Sequence, residues 1–130
     1  MAHMKDYKKY YIIPAPPQDV YKALTQAALL KLWTGEEAIM EPLPNTPFSL
    51  WDDSITGMNI DFELNKKIVQ HWDFGEQEEA SEVVILIHPH KQGSSVELRH
   101  SNIPNEAFED ISRGWDEVYF AGLAEFYEEG

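Results

Sequence analysis

Histidine is the residue type in this chain best suited to acid–base or metal chemistry, because the sequence contains no cysteine. His88 and His90 lie close together, and His100 follows on the next segment. A hairpin turn at 91–93 would place His100 opposite Val84, with His88 about 13 Å from His100 along the strands. A metal ion needs ligand atoms about 2 Å away. We therefore expect no metal site, and we interpret His88 and His90 as solvated residues at a strand end rather than a two-ligand surface site.

A different pair of histidines is better suited to a binding pocket. A loop at 75–80 would place His71 opposite Val84 as well, so that His71 and His100 flank Val84 on one face of a sheet. The two rings would then be about 10 Å apart across two strand spacings. That distance is too long for a shared metal but suits two polar groups in a mostly apolar pocket. The competing interpretation is two surface or interface histidines, and a one-residue slip in register would reverse the faces.

Patterns that mark common catalytic sites do not appear in the sequence. There is no serine–histidine–aspartate order, no phosphate-binding glycine loop and no nucleophile elbow. Asp52 and Asp53 are better explained as turn residues than as a pair of catalytic carboxylates. The sequence therefore predicts no catalytic residue, no metal and no cofactor. Acid–base catalysis by His71, His100 or Asp73 is the weakest of the functional hypotheses.

The four tryptophans are candidates for the wall of an apolar cavity. They are Trp33, Trp51, Trp72 and Trp115. Large aromatic side chains are more often core residues than ligand platforms, and the sequence alone leaves both interpretations open. Met40, Met58 and Ile68 would add apolar lining to such a cavity.

These residues need a long element to cover them, and the sequence predicts a helix from Asn105 to Glu129. Pro104 disfavours a helical conformation for Ile103, which marks the start of the helix. Apolar residues recur along it at spacings of three and four, namely Phe108, Ile111, Trp115, Val118, Tyr119, Leu123 and Phe126. Such a helix would be roughly 37 Å long. Gly122 lies within the stripe, and indicates either close packing on a neighbour or a gap that an apolar ligand could fill.

The chain before this helix predicts an antiparallel sheet, because its short β-branched and aromatic segments are joined by short turns. We predict seven strands: Asp6–Ile13, Glu37–Glu41, Pro47–Trp51, Ile55–Leu64, Lys67–Phe74, Glu82–His88 and Ser94–Ser101. Two short helices, Gln18–Leu24 and Gln26–Leu32, follow the first strand. The predicted fold class is α+β, a helix-grip fold in which a seven-stranded curved antiparallel sheet wraps around the long C-terminal helix.

Composition narrows the class of protein. The chain has 130 residues, 43% of them hydrophobic, which suits one domain, here residues 4–129. Met1, Ala2 and His3 are expected to be a remnant of cloning. A formal charge of −13 disfavours nucleic acid and anionic membranes as partners. We expect a cytoplasmic location, because the sequence shows neither a membrane-spanning apolar run nor a signal peptide.

Four stretches of the sequence resemble a known family. They are Pro14–Thr25, Leu32–Thr34, Ile55–Asn59 with Lys67–Trp72, and Val96–Pro104 leading to Gly114 and Trp115. In this order and spacing they resemble the activator of heat-shock protein 90 ATPase homologue family, a branch of the START-like (SRPBCC, helix-grip) superfamily. The resemblance covers nearly all of residues 4–129. It implies the helix-grip fold but leaves the function open, because the superfamily includes ligand carriers, cyclases and co-chaperone domains.

Three hypotheses about function follow. The first is a non-enzymatic domain that binds a small apolar molecule between the C-terminal helix and the sheet, where a helix-grip fold has its cavity. The residues expected to line it are Trp33, Met40, Trp51, Met58, Ile68, His71, Trp72, Val84, Leu98, His100, Trp115, Tyr119 and Gly122. The second is a co-chaperone-like module that regulates a heat-shock protein 90 homologue, for which the eight acidic residues of the predicted helix could dock a basic partner. The third is a cyclase- or hydratase-like enzyme.

Overall fold

The computed structural model describes residues 4–75 and 79–129. Strand β1 (Met4–Ile13) leads into two short helices, α1 (Pro17–Thr25) and α2 (Ala27–Thr34). Five more strands follow: β2 (Thr46–Leu50), β3 (Ile55–Glu63), β4 (Lys67–Trp72), β5 (Ser81–His90) and β6 (Gly93–Pro104). The last element, here called the C-terminal helix, consists of a 3-10 turn (Asn105–Ala107), α3 (Phe108–Gly114), a π-helical turn (Trp115–Tyr119) and α4 (Phe120–Glu129).

The strands form one antiparallel sheet in the order β1-β6-β5-β4-β3-β2. Side chains alternate between its two faces, and β5 shows this most clearly, with Val83, Ile85 and Ile87 buried and the residues between them partly exposed. These buried side chains belong to the same core as Trp115 and Leu123 of the C-terminal helix. The helix therefore lies on the inner face of the sheet, which confirms the predicted α+β helix-grip fold.

The predicted strand at Glu37–Glu41 was wrong, so the described residues contain six strands rather than seven. The segment forms a single β-bridge with the sheet, in which Ile39 exchanges two backbone hydrogen bonds of 2.9 Å with Ser49 of β2. Pro42 and Pro44 follow directly. Because proline has no N–H to donate to a ladder, the pairing does not extend beyond a single bridge.

The π-helical turn changes which residues of the C-terminal helix face the core. Such a turn inserts one residue, which rotates the following residues by about 100° relative to a regular α-helix. Val118, predicted to lie in the apolar stripe, is therefore 52% exposed, whereas Phe120, left out of the stripe, is only 1% exposed. Phe120 stacks on Tyr11 of β1 with ring centroids 4.3 Å apart. The predicted stripe is correct at Trp115, Tyr119 and Leu123, and it is wrong in including Val118 and leaving out Phe120.

Gly122 packs against Trp33. The six-membered ring of Trp33 lies 3.6 Å from the position that a Cβ atom on Gly122 would occupy. Trp33 therefore occupies the space next to this glycine. Of the two interpretations offered by the sequence, packing against a neighbour is the one that the structure favours at this position. Within the described residues, the C-terminal helix and its shorter companions fall short of the length and apolarity needed to cross a bilayer.

Candidate functional site

A cavity of about 280 Å³ lies beneath the first half of the C-terminal helix. Its apolar walls come from three parts of the fold and are formed by Trp51, Ile55, Trp72, Ile111, Trp115 and Tyr119. Ser54 and Asp110, both exposed, also border it. The cavity is therefore aromatic inside and polar only at its exposed border.

Two tryptophans form the side of the cavity nearest the sheet. Trp72 is the last residue of β4 and points inward, and Trp115 is the first residue of the π-helical turn. Their rings stack with centroids 4.7 Å apart and an angle of 28° between their planes. Each side chain is almost fully buried, so packing within the core holds both rings in place.

A left-handed turn places the third tryptophan. Trp51, Asp52 and Asp53 have φ angles of 51°, 51° and 68°, a conformation that costs free energy for residues other than glycine. The turn joins β2 to β3 and holds the Trp51 ring 5.7 Å from that of Tyr119. The surrounding contacts must offset this strain, and their effect is to keep Trp51 over the cavity.

His100 supports Trp115 from behind. The Trp115 indole N–H donates to Nδ1 of His100 at 3.0 Å, so the proton of the neutral imidazole is on Nε2. Nε2–H then donates to the Ser81 hydroxyl at 2.8 Å, and that hydroxyl donates to the backbone oxygen of Ser101 at 3.2 Å. Burial lowers the pKa of His100 to about 4. The ring is thus neutral near pH 7 and serves to orient Trp115.

Asp116 attaches the π-helical turn to β1. One carboxylate oxygen accepts hydrogen bonds from the hydroxyls of Tyr7 at 2.8 Å and Tyr11 at 2.6 Å, and the other accepts one from Nζ of Lys9 at 2.9 Å. Burial alone would raise the pKa of Asp116, but the hydrogen bonds from Tyr11, Lys9 and Tyr7 outweigh it and hold the pKa below its usual range. The three donors alternate along β1 and so share its inner face.

Buried amides hold the other end of the aromatic wall. Gln70 accepts a hydrogen bond from the Trp72 indole N–H at 3.1 Å and donates one to Asn59 at 3.0 Å. Asn59 in turn donates to the backbone oxygen of Glu41 and to the Thr46 hydroxyl, each at 3.2 Å. Because every member is paired, this network orients Trp72 without leaving a buried polar group unsatisfied.

The predicted grouping of His71, Val84 and His100 was wrong. His71 pairs with Glu82 rather than Val84, and His100 pairs with Val83. The hairpin between β5 and β6 has two turn residues instead of three, which slips the register by one and turns His100 to the inner face. His71 and Val84 lie on the outer face, where His71 is 3.4 Å from a carboxylate oxygen of Glu82. Among the described residues, no group of three acidic or histidine side chains could hold a metal ion.

The other residues expected to line a cavity fall into separate places. Trp51, Trp72, Trp115 and Tyr119 meet at the 280 Å³ cavity, and His100 and Trp33 contact them from outside it. Met40, Ile68 and Leu98 are buried in the core. The remaining predicted lining residues border two further pockets. Met58 and His71 border a pocket of about 630 Å³ next to β2, and Val84 borders a pocket of about 350 Å³ at β1 and β6.

Sequence reasoning missed the residues that hold the aromatic wall in place. Asp116 is one of the eight acidic residues of the predicted C-terminal helix, and nothing in the helix pattern distinguishes it from the others. Gln70 could have been found, because it alternates with Ile68 and Trp72 and therefore shares their buried face. The alternation of Tyr7 and Tyr11 on β1 was the available signal for an inward-facing polar cluster.

Comparison with known proteins decides the family. The family model described as "Activator of Hsp90 ATPase homolog 1-like protein" matches residues 14–128. The chain belongs to this family. The residues on which the sequence resemblance rested, including Trp72 and Trp115, lie inside the matched region.

Individual relatives agree with this family. A Dictyostelium discoideum protein named "Activator of 90 kDa heat shock protein ATPase homolog" is 28% identical over 102 residues, which are 76% of this chain and 27% of that protein. The chain thus spans about a quarter of the length of this curated relative. The structure of a Plasmodium falciparum HSP90 activator matches with a TM-score of 0.85 at 23% identity, covering 97% of each chain. A Mesorhizobium loti protein matches with a TM-score of 0.82 at 20% identity, covering 96% of this chain and 98% of its own. At these identities, the two structures show a shared fold.

Proposed function

We propose that this domain is non-enzymatic and binds a small apolar molecule in the cavity beneath the C-terminal helix. The observation that supports the proposal is the volume of about 280 Å³ together with its aromatic lining. An apolar cavity of about 150 Å³ binds benzene, so this cavity has room for a molecule of one or two fused rings. It lies just below the range of roughly 300–1,000 Å³ that is common for drug-sized ligands.

The expected affinity follows from the apolar area that such a ligand would bury. Removing roughly 250 Å² of ligand surface from water at about 25 cal/mol per Å² contributes on the order of 6 kcal/mol, which corresponds to a Kd of tens of micromolar. The Trp72–Trp115 stack is already formed, so little additional ordering of these walls is required.

A cavity-filling variant tests this proposal. Gly114 lines the cavity and no atom lies within 4 Å of the position of its missing Cβ, so Gly114→Leu starts a side chain in open space beside the cavity and also favours helix. Glu109→Leu adds the same side chain on the exposed face of α3 and serves as the control. With naphthalene as probe and tryptophan fluorescence as readout, we expect Gly114→Leu to weaken binding at least tenfold and Glu109→Leu to leave it unchanged. Equal binding by all three proteins would count against this cavity as the site.

Native mass spectrometry of the freshly purified protein addresses the natural ligand. A stoichiometric adduct that is lost on unfolding, followed by organic extraction and identification, would support the proposal and give the chemical class. The same measurement on Gly114→Leu is expected to show less of that adduct. An adduct retained equally by Gly114→Leu would place the ligand elsewhere on the protein.

We propose interaction with a heat-shock protein 90 homologue as the second candidate, on the basis of the family and of the relatives named as its activators. The exposed face of the C-terminal helix supports it, because acidic side chains there include Glu117, Glu125 and Glu128. The test is stimulation of the chaperone's ATPase at low salt, where contacts between charges are strongest. We expect Glu117→Lys with Glu125→Lys to abolish the effect and Glu36→Lys, an exposed charge change on another surface, to retain it. Loss of stimulation only in the control would contradict the assignment of this face.

A further inference from the structure

One residue that lines the cavity, Tyr119, carries a hydroxyl group and is almost fully buried. It is only 4% exposed, with its ring between those of Trp33, Trp51 and Trp115 at centroid distances of 5.5, 5.7 and 4.6 Å. Tyr119 is the last residue of the π-helical turn, and Phe120 next to it is also buried. Three sides of the phenol are therefore covered by aromatic rings.

Three of the four indole N–H groups of this aromatic cluster have hydrogen-bond acceptors, whereas that of the half-buried Trp51 has none within residues 4–75 and 79–129. The indole N–H groups donate to the backbone oxygen of Ala23 from Trp33, to Gln70 from Trp72 and to His100 from Trp115. By contrast, no donor or acceptor in residues 4–75 and 79–129 hydrogen-bonds to the Tyr119 hydroxyl. Burial raises the pKa of Tyr119, so the hydroxyl stays protonated near pH 7 and can donate as well as accept.

An unsatisfied buried hydroxyl costs free energy that a phenylalanine would not. A ligand that offers a hydrogen-bonding atom would remove this cost, and one without such an atom would leave it in place. The charge of the cavity limits the choice further. None of the described side chains that line it is basic, and Asp110 borders it, so an anionic ligand is disfavoured.

We infer that the cavity selects a neutral, planar aromatic molecule that carries one hydrogen-bonding oxygen or nitrogen, and that the Tyr119 hydroxyl is the group that pairs with it. This inference rests on the proposed ligand-binding function and narrows it to a chemical class. Tyr119 is thus a specificity-determining residue, and the aromatic rings around it supply the apolar part of the affinity.

The test compares two probes of nearly equal shape, 2-naphthol and 2-methylnaphthalene, on the wild type and on Tyr119→Phe by calorimetry or tryptophan fluorescence at pH 7. We expect the wild type to prefer 2-naphthol about tenfold, the size of one net hydrogen bond. In Tyr119→Phe we expect the preference to fall below about twofold, with the affinity for 2-methylnaphthalene unchanged. That unchanged affinity, together with thermal unfolding, shows that the variant is folded.

The other outcomes separate this inference from the proposed function. Equal binding of both probes by the wild type would overturn the inference while leaving apolar binding intact. A preference that persists in Tyr119→Phe would overturn the role of Tyr119. Binding of neither probe to the wild type would overturn the proposed function at this cavity, and the inference with it. A marked loss of thermal stability in Tyr119→Phe would contradict the inference as well, since it would mean that the hydroxyl already has a partner.

Discussion

The contact between Asp116 and β1 provides the sharpest test of how the C-terminal helix is held. In Asp116→Ala, the hydroxyls of Tyr7 and Tyr11 lose an acceptor that lies 2.8 and 2.6 Å away. A hydrogen bond to a charged group contributes about 1.5–3 kcal/mol, and we take the lower part of that range because both hydroxyls are half-buried and can turn to water. The Lys9 ion pair is exposed and adds little.

The expected loss of unfolding free energy is therefore about 2–4 kcal/mol, or roughly 8–15 °C in Tm for a chain of this size. Asp116→Asn keeps one oxygen for the two tyrosines and changes the atom that faces Lys9, so its loss should be less than half as large. Asp110→Ala removes an exposed carboxylate 2.7 Å from Arg113 and is the matched control, with a much smaller expected effect. The assay is urea unfolding followed by far-ultraviolet circular dichroism. If Asp116→Ala loses no more stability than Asp110→Ala, the assignment of Asp116 as the anchor is refuted.

The remaining predictions concern buried groups. Because the pKa of His100 is about 4 in the folded chain, below its ordinary value near 6.5, the unfolded state binds more protons between these pH values; stability should fall by about 3 kcal/mol from pH 6.5 to pH 4, and this dependence should disappear in His100→Gln. Gly57→Ala should lose about 3 kcal/mol or more in denaturant unfolding, since the added Cβ would overlap the backbone oxygen of His71, whereas Gly114→Ala, with open space around it, should gain about 0.5–1 kcal/mol. Gln70→Leu leaves the Trp72 indole N–H and the side-chain oxygen of Asn59 unpaired and should lose about 2–4 kcal/mol; a loss below 1 kcal/mol would mean that water replaces the amide.

Local patterns in the sequence were sufficient to predict the elements. The alternation in β4 and β5 predicts their existence and their ends to within two residues, because a half-buried strand imposes a period of two. The exception, Glu37–Glu41, has one β-branched residue, Ile39, and is followed by Pro42 and Pro44, which limit its pairing. Long-range pairing, rather than propensity, decides whether such a segment joins a sheet.

The site was less predictable, because it depends on register and helix phase. The hairpin between β5 and β6 differs from the prediction by one turn residue, and that difference places His100 on the inner face, against Trp115, and Val84 on the outer face. The π-helical turn has a comparable effect on Val118 and Phe120. No local residue pattern announces such a turn, since it depends on contacts such as those of Asp116 with a strand far away in sequence.

The pairing of β1 with β6 determines when the sheet can be completed during synthesis of this domain. Met4 pairs with Pro104 and Ile13 with Ser94, so β1, the first strand of this domain, has no neighbouring strand until β6 has been made. Its helix contact, Asp116, is synthesised later still. Until then Tyr7 and Tyr11 lack the contacts with Asp116 that they make in the folded domain. The sheet therefore closes only after most of the chain has emerged, and contacts between such distant residues make that closure slow.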